Sequence, residues 1–233
     1  MTFIGNRGLT APINQESSMN ETSPAPGAAP IQPDSIIRLP DAQAEQLAAV
    51  MARAFFHDPM FLYVTPDEEK RTARLRWFFR SLIRYSTWYG EIYTTTAVDG
   101  GAIWVKPEYT TFTLGRMIKI GFLKMPFVFG WTGFTRFLNL SNTVDKWHEE
   151  SVTTDHWYLT VLGVEPDQQS QGVGGALMQP LLARVDAAGL PCYLETLSER
   201  NLPFYRRHGF EITFSGKVPD GGPMAWAMVR SPQ

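Results

Sequence analysis

Residues 157–177 read WYLTVLGVEPDQQSQGVGGAL. From Trp157 to Val164 the side chains are aromatic, β-branched or apolar, apart from Thr160 and Gly163, which is the composition of a buried strand. Pro166 and Asp167 end it, because proline has no N–H to give to a strand ladder. A polar, glycine-rich run comes next: Gln169, Ser170, Gln171, Gly172, Val173, Gly174, Gly175. From Ala176 the spacing turns helical, with Leu177, Leu181, Leu182 and Val185 on one face. A glycine-rich turn that opens a helix offers free N–H groups at the positive end of the helix dipole, a natural seat for phosphate oxygens. A Walker loop needs Gly-Lys-Ser/Thr, but Ala176 and Leu177 come after the glycines; the dinucleotide fingerprint needs a glycine or alanine where Leu177 stands. On the glycines alone, a pyrophosphate cradle and a plain packing turn are equal readings.

Outward from this stretch, length and composition set bounds. The chain has 233 residues, enough for one large domain or two small ones. Its net charge is −2, so nothing points to nucleic acid or a charged surface as partner. The single cysteine, Cys192, excludes an internal disulfide and suits a reducing compartment; set in an apolar run, it reads as a buried structural thiol. Residues 1–34 are rich in Pro, Ala, Ser, Asn and Gly without hydrophobic period, which predicts a disordered tail before a domain over 35–233. The N-terminus lacks the basic segment and apolar run of a signal peptide. The uncharged window Met125–Thr135 is far short of the roughly 20 residues that span a bilayer. The expectation is a cytoplasmic protein with no membrane partner.

In chain order, Ser35–Leu39 predicts a first strand and Asp41 begins a helix with Leu47, Val50, Met51, Ala54 and Phe55 on one face. His57-Asp58-Pro59 breaks it, Met60 to Val64 read as an apolar loop, and Thr65-Pro66-Asp67 cap a helix reaching about Trp88. Arg71, Arg74, Arg76, Arg80 and Arg84 read as that helix's solvated face. Glu91–Thr96 and Ala102–Lys106 form a hairpin around Val98-Asp99-Gly100-Gly101. Thr110 to Glu150 is helical, cut by Pro126, Gly130 and Gly133, and apolar on several sides, so something must cover it. After the glycine-rich helix, with a kink expected at Pro180, come a strand over 190–197, a short helix ending at Gly209, and strands 210–215 and 224–229. The β-α-β unit needs parallel strands and the hairpins antiparallel ones. The fold class is therefore α/β of α+β type, one domain with a mixed, mostly antiparallel sheet of six to seven strands flanked by helices.

The pattern Gln169-x-x-Gly172-x-Gly174 after Leu162-Gly163-Val164 resembles the acyl-CoA-binding motif of the GNAT acetyltransferases. Glu195-Thr196, then Asn201-Leu202-Pro203-Phe204-Tyr205 and Gly209-Phe210, are similar to that family's last helix and the strand after it. Within the family, Leu194-Glu195-Thr196, residues 201–205 and Val218-Pro219 resemble the puromycin N-acetyltransferases. The likeness runs from about Trp157 to Arg230; residues 108–150, where such enzymes meet the acceptor, are unmatched. The resemblance implies acetyl-CoA as cosubstrate, and strands 157–164 and 191–197 splayed to admit it. It implies that the backbone at Leu162, Gly163 and Val164 pairs with the pantetheine arm. It further implies that residues Gln169 to Gly175 cradle the pyrophosphate, with Gly172 and Gly174 clear of side chains, and that Asn201 touches the arm. Tyr205 is implied to face the CoA sulfur.

Acyl transfer from a thioester to an amine needs a neutral amine, a stabilised oxyanion and a protonated thiolate. A phenol with pKa about 10 can donate to a thiol of about 8.5 while staying neutral at pH 7, which suits Tyr205. Glu195, at the end of an apolar strand, suits the base, with a strand-end ion pair to Arg200 or Arg206 as its equal alternative. Asp155, His156, Glu150, His148 and the pair His57-Asp58 are weaker bases by position, the last a natural cap and turn. An N–H near Leu162 would hold the oxyanion. No His/Cys/Asp cluster has metal-ligand spacing, so no metal is expected, and no Ser or Cys has a nucleophile's context. The expected activity is transfer of an acetyl group to a primary amine of a small molecule by direct attack. The alternatives are a protein lysine or N-terminal acceptor, and a non-catalytic acyl-CoA-binding module. Phe61, Tyr63, Phe112, Phe129, Trp131 and Trp147 favour a closed aromatic pocket, hence a small acceptor. A homodimer is compatible with the sequence.

Overall fold

The computed structural model describes residues 35–233; the expected tail of 1–34 lies outside them. In chain order the elements are β1 (Ile36–Arg38), α1 (Ala44–Ala54), α2 (Pro59–Val64), α3 (Glu68–Tyr89), β2 (Gly90–Thr95) and β3 (Gly100–Val105). Then come α4 (Leu114–Lys119), α5 (Met125–Ser151), β4 (Trp157–Val164), α6 (Val173–Ala187), β5 (Cys192–Thr196), α7 (Leu202–Arg207), β6 (Glu211–Lys217) and β7 (Met224–Arg230). The sheet has seven strands in the order β1-β2-β3-β4-β5-β7-β6. Every neighbouring pair is antiparallel except β4 with β5.

The parallel pair is short. It consists of Trp157 opposite Cys192 and Tyr158 opposite Tyr193, and nothing beyond. β4 stays paired to β3 as far as Val164 opposite Gly100, and β5 stays paired to β7 as far as Thr196 opposite Trp226. The two strands therefore part after Tyr158, leaving one edge of β4 from Leu159 to Val164 without a strand partner among the described residues. The register of β3 against β4 slips between Ile103 and Trp104, where Val161 and Leu159 are the partners and Thr160 is skipped. An extra residue of this kind bends its strand and re-aims the side chains beyond it. The Thr160 hydroxyl covers the gap by donating to the Ile103 carbonyl at 3.0 Å.

The bulge also sets the faces. Trp157, Leu159, Leu162 and Val164 pack with α6 and with Tyr205 of α7. Val161 packs with α1, α3 and α5, and Tyr158 and Tyr193 lie on that side with Tyr85. Gly163 is a contact point between the sheet and α1: a Cβ there would stand 2.4 Å from Met51 Sδ and 2.6 Å from a Phe55 ring carbon. α1 can lie this close to β4 only because position 163 has no side chain.

Several local expectations are corrected. Residues 60–64 are helical: Pro59 opens α2, and the Asp58 carboxylate caps it by accepting from Met60 N at 2.9 Å. Arg71 is buried, contrary to its assignment to a solvated face. Its guanidinium donates to the carbonyls of Thr65 at 2.9 Å and Pro66 at 2.8 Å, which the end of α2 would otherwise leave unsatisfied. Arg74 likewise turns inward to the Val128 carbonyl at 2.8 Å. α6 starts at Val173, three residues early, and continues past Pro180 to Ala187. The break in α5 falls at Gly130, at φ 74° and ψ 165°, while Pro126 and Gly133 remain within helical turns. Cys192 is buried, and burial pushes its thiol up to about 12, as befits a structural residue.

Gly163→Ala should therefore lower stability by about 1–3 kcal/mol through overpacking against Met51 and Phe55. Urea unfolding measures this; a change below about 0.5 kcal/mol would mean that α1 is not held against the strand.

Candidate active site

A cleft of about 560 Å³ opens where β4 leaves β5. On one side stand Val164, Gln169, Ser170, Gly172, Gly174 and Gly175; on the other, Arg200, Asn201, Phe204, Arg207 and His208. The turn is built by two residues in the left-handed region, Ser170 at φ 65° and Gly172 at φ 85°. The Gln169 amide ties it to the end of β4 by donating to the Val164 carbonyl at 3.0 Å. Beyond Gly172 the first amides of α6 have no intrahelical acceptor. A Cβ at Gly175 would come within 3.1 Å of His208 Nε2, so that glycine keeps the wall at its present distance. A Cβ at Gly172 would meet nothing within 4 Å. At Gly172 the turn itself needs a residue that tolerates a positive φ.

Two buried polar groups, Tyr205 and Asp58, lie close enough for the charge of one to act on the other. Tyr205 is fully buried among the α6-side residues, and its hydroxyl has no hydrogen-bond partner among the described residues. Asp58 is fully buried on the α1–α2 side, with Oδ1 spent on the α2 cap and Oδ2 without a partner among the described residues. Burial pushes the Asp58 carboxyl up to about 7, and burial followed by the charge of Asp58 pushes the Tyr205 phenol well above 10. A buried polar atom without a partner costs about 1–3 kcal/mol, so two such neighbouring groups are candidate contacts for a bound molecule.

On the α5 side of β5 lies Glu195, fully buried, accepting from the Tyr158 hydroxyl at 2.7 Å. His148 of α5 stacks on Tyr193 with centroids 4.0 Å apart and planes within 1°. Its Nε2 lies 2.7 Å from His156 Nε2, and His156 Nδ1 lies 2.7 Å from the Thr154 carbonyl. These contacts fix the protons of the neutral pair. The Thr154 carbonyl can only accept, so His156 carries its proton on Nδ1 and accepts at Nε2. His148 then donates from Nε2. Burial holds His148 down at about 4 and lowers His156, while Glu195 pulls both the other way.

A second cavity, of about 320 Å³, lies above Tyr158 between α3, α4 and α5. Phe78, Leu82, Phe112, Met117, Phe122 and Phe137 make most of its wall, with Phe78 and Phe122 stacked at 5.8 Å. Thr160 and Val161 line it beside Tyr158, so its floor is the strand that parts from β5. Its polar groups are Ser141, Asn142 and Asp145 of α5. Burial, with Glu195 next, pushes the Asp145 carboxyl up to about 6.

Of the residues expected in the cofactor site, Val164, Gln169, Ser170, Gly172, Gly174, Gly175 and Asn201 line the cleft together. Leu162 and Val173 point their side chains into the α6-side core, Gly163 meets α1, and the Gln171 amide turns back to the Asp167 carbonyl at 2.9 Å. These four can contribute main chain only. Asn201 donates to Thr196 Oγ1 at 3.3 Å, which joins the start of α7 to the end of β5. Among the expected pocket aromatics only Phe112 lines the cavity. Phe61 and Phe129 are core residues, Trp131 is exposed, Trp147 stacks on Phe214, and Tyr63 donates towards the Pro219 carbonyl. Sequence reasoning missed Arg200, Arg207 and His208 in the cleft and Asp145 in the cavity. The cations were legible as a cluster beside Asn201–Tyr205; Asp145 was legible as the residue one turn before His148. Among the described residues no group of three or more His, Cys, Asp or Glu is placed to hold a metal ion. No described helix is long and apolar enough to cross a membrane.

Residues 132–212 match the model of the acetyltransferase (GNAT) domain. An uncharacterized N-acetyltransferase of Schizosaccharomyces pombe is 27% identical over 175 residues, 71% of this chain and 70% of its own length. Among solved structures, the histone acetyltransferase HPA2 and related acetyltransferase of Corynebacterium glutamicum has a TM-score of 0.62 at 23% identity, covering 85% of this chain and 96% of its own. Arylalkylamine N-acetyltransferase 2 of Aedes aegypti has a TM-score of 0.56 at 10% identity, covering 85% and 98%.

The cationic wall of the cleft gives a binding prediction. Arg207→Ala should raise the Kd for coenzyme A about three- to fivefold and flatten its salt dependence, as loss of one exposed ion pair does. Isothermal titration at two salt concentrations checks this; an unchanged Kd and slope would remove Arg207 from the phosphate contacts.

Proposed function

We propose that this chain, whose residues 132–212 match the acetyltransferase (GNAT) domain model, takes its acyl group from acetyl-CoA and acetylates the primary amine of a small molecule with an apolar body. The observation that carries this reading is the cavity over Tyr158, apolar and aromatic on most sides with the Asp145 carboxylate among its few polar groups. An ammonium docks on Asp145 while its organic part fills the space among Phe78, Phe122 and Phe137. Aromatic faces add attraction for the cation. The Aedes aegypti relative in fold is an arylalkylamine N-acetyltransferase, which supports an amine with such a body. The puromycin N-acetyltransferase likeness lies on the CoA side, so it does not bear on the choice of amine. The helical segment of about 108–150 acts as the acceptor-side insert of a domain spanning 35–233.

The donor fits this chain by three features: the unpartnered edge of β4, the cleft with its left-handed turn, and the unpaired Tyr205 hydroxyl. When bound, acetyl-CoA supplies the thioester carbonyl that the amine attacks. The edge of β4 at Leu162, Gly163 and Val164 offers main-chain groups to the pantetheine arm and an N–H to the carbonyl oxygen. Residues Gln169 to Gly175, with Arg200 and Arg207 opposite, hold the phosphates, and Asn201 orients the arm. Glu195 takes the proton from the ammonium, directly or through water. Tyr158 keeps that carboxylate in place by its 2.7 Å hydrogen bond. Tyr205 gives its proton to the sulfur as it leaves, and its place deep in the gap keeps water out. A protein acceptor is disfavoured by the same geometry, because a lysine or N-terminus arrives on a chain and the cavity is walled by three helices.

Two outcomes test this reading. Tyr205→Phe should lower kcat by roughly 10²-fold while changing the Kd for coenzyme A less than about threefold. Thiol release in the presence of an amine panel measures kcat; unchanged turnover would remove Tyr205 from the mechanism. The second outcome concerns pH. The Asp145 carboxyl sits at about 6 and is charged only above that, so KM for a cationic amine should rise as pH falls through about 6. Asp145→Asn should erase that step. A step that survives the substitution places the ammonium elsewhere.

A further inference from the structure

The segment that walls the cavity also carries the most exposed large apolar side chains among the described residues. Phe127 is 89% exposed, Trp131 71%, Leu114 70% and Leu123 59%. They lie on α4, the turn after it and the first turns of α5. Single exposed apolar residues are ordinary, but several together on one short segment mark an interaction face. The charge of this segment is one-sided. From Tyr109 to Val144 it holds Arg116, Lys119, Lys124 and Arg136 and no Asp or Glu. Among the described residues none of the four forms an ion pair. Arg116 and Lys119 lie instead over aromatic faces, Arg116 at 4.8 Å from Tyr109 and Lys119 at 4.4 Å from the exposed Trp88. The chain as a whole has a net charge of −2, so this patch runs against the molecule's own sign.

We propose that this face, from α4 through the first turns of α5, docks on an anionic lipid surface. Cations interleaved with Trp, Phe and Leu suit the boundary between headgroups and acyl chains, where the rings enter the apolar layer and the basic groups stay with phosphate. A second copy of this chain fits worse: a twofold contact would set cation against cation with no carboxylate in the segment to pair them. The expectation of no membrane partner came from the net charge of −2 and the lack of a spanning segment; docking at a surface needs no spanning segment, and a local basic patch does not show in the net charge. Leu114 and Leu138 both line the cavity and are exposed, so the cavity's rim belongs to the docking face. An amine dissolved in the lipid would thus enter without crossing water. The docking itself stands apart from the acetyl-transfer reading: it shares only the cavity-rim residues Leu114 and Leu138 with the acceptor cavity and none of the groups assigned to proton transfer or coenzyme A.

Co-sedimentation of the full chain with vesicles tests it. Binding is expected to vesicles of phosphatidylglycerol and phosphatidylcholine, but not to phosphatidylcholine alone, and should weaken as salt rises from about 0.1 M to 1 M. The double change Lys119→Glu with Lys124→Glu, and separately Phe127→Ser with Trp131→Ser, should each weaken binding by about tenfold or more. Coenzyme A binding, which reports the fold, should stay unchanged in both, and Lys217→Glu on β6 should bind vesicles like the parent. Absence of parent binding to the anionic vesicles overturns the proposal, as does equal binding to neutral ones or equal loss in Lys217→Glu. Concentration-dependent dimerisation abolished by Phe127→Ser with Trp131→Ser, without vesicle binding, would assign the face to a second copy and overturn it too.

Discussion

The separation of β4 from β5 after two residue pairs is the constraint on which the rest of this molecule depends. A central sheet normally spends every backbone group on a neighbour. Here one edge of β4 is left open over most of its length, in the middle of the sheet, where a strand edge is usually covered. The opening is held by its surroundings. β4 stays paired to β3 from Tyr158 to Val164 around the bulge at Thr160, and β5 to β7 along its whole length, so each half-sheet is held on its outer side. The bulge at Thr160 bends β4 away just beyond the last parallel pair. α1 grips the departing strand through the missing side chain of Gly163. α7 and the glycine-rich turn stand on the other side and keep the gap from closing.

From that gap two environments diverge. The side towards α6 and α7 is cationic and lined by main chain: a left-handed turn, the first amides of α6, and Arg200, Arg207 and His208. The side towards α3 and α5 is mostly apolar, with Asp145 on its α5 wall and the other ionisable groups at its base. Glu195, Tyr158, Tyr193, His148 and His156 form one packed cluster there, in which burial keeps the histidines neutral. A polyanionic donor and an apolar amine would meet across the single strand that touches both. The sheet separates their solvation requirements, so neither site must compromise for the other.

The legibility of these features in the sequence depends on whether their signals are local. The strand, turn and helix over 157–187 are readable to within about three residues, because proline, glycine and alternation act within a few positions. The splay of β4 from β5 is legible only beside Asn201–Phe210, since no single strand announces its own missing partner. The acceptor side resists such reading for a physical reason. α5 is apolar on several sides, and its rotation is set by the left-handed residue Gly130, so the sequence does not say which aromatic faces inward. Phe61, Phe129 and Trp147 go to packing, and Phe78, Phe122 and Phe137 form the cavity. Helical spacing assigns Arg71 to solvent, yet it is buried because the carbonyls at the end of α2 need donors. That demand is invisible until residues 60–64 are recognised as helix.

Asp58 shows how a local rule and a global site can share one residue. As a cap of α2 it should be ionised, since a carboxylate favours the positive end of a helix. Burial opposes this and is the larger effect, pushing the carboxyl up to about 7. The sign of the consequence is clear. A carboxyl held above its unfolded value stabilises the fold most below about 4, and that contribution is lost as pH rises through about 7. The molecule accepts this loss at neutral pH, along with a Tyr205 hydroxyl that has no hydrogen-bond partner among the described residues. Residues chosen only for stability would have replaced both with apolar side chains of similar size, at little cost to the fold. Two buried polar atoms that the other described residues leave without partners are what a ligand site requires.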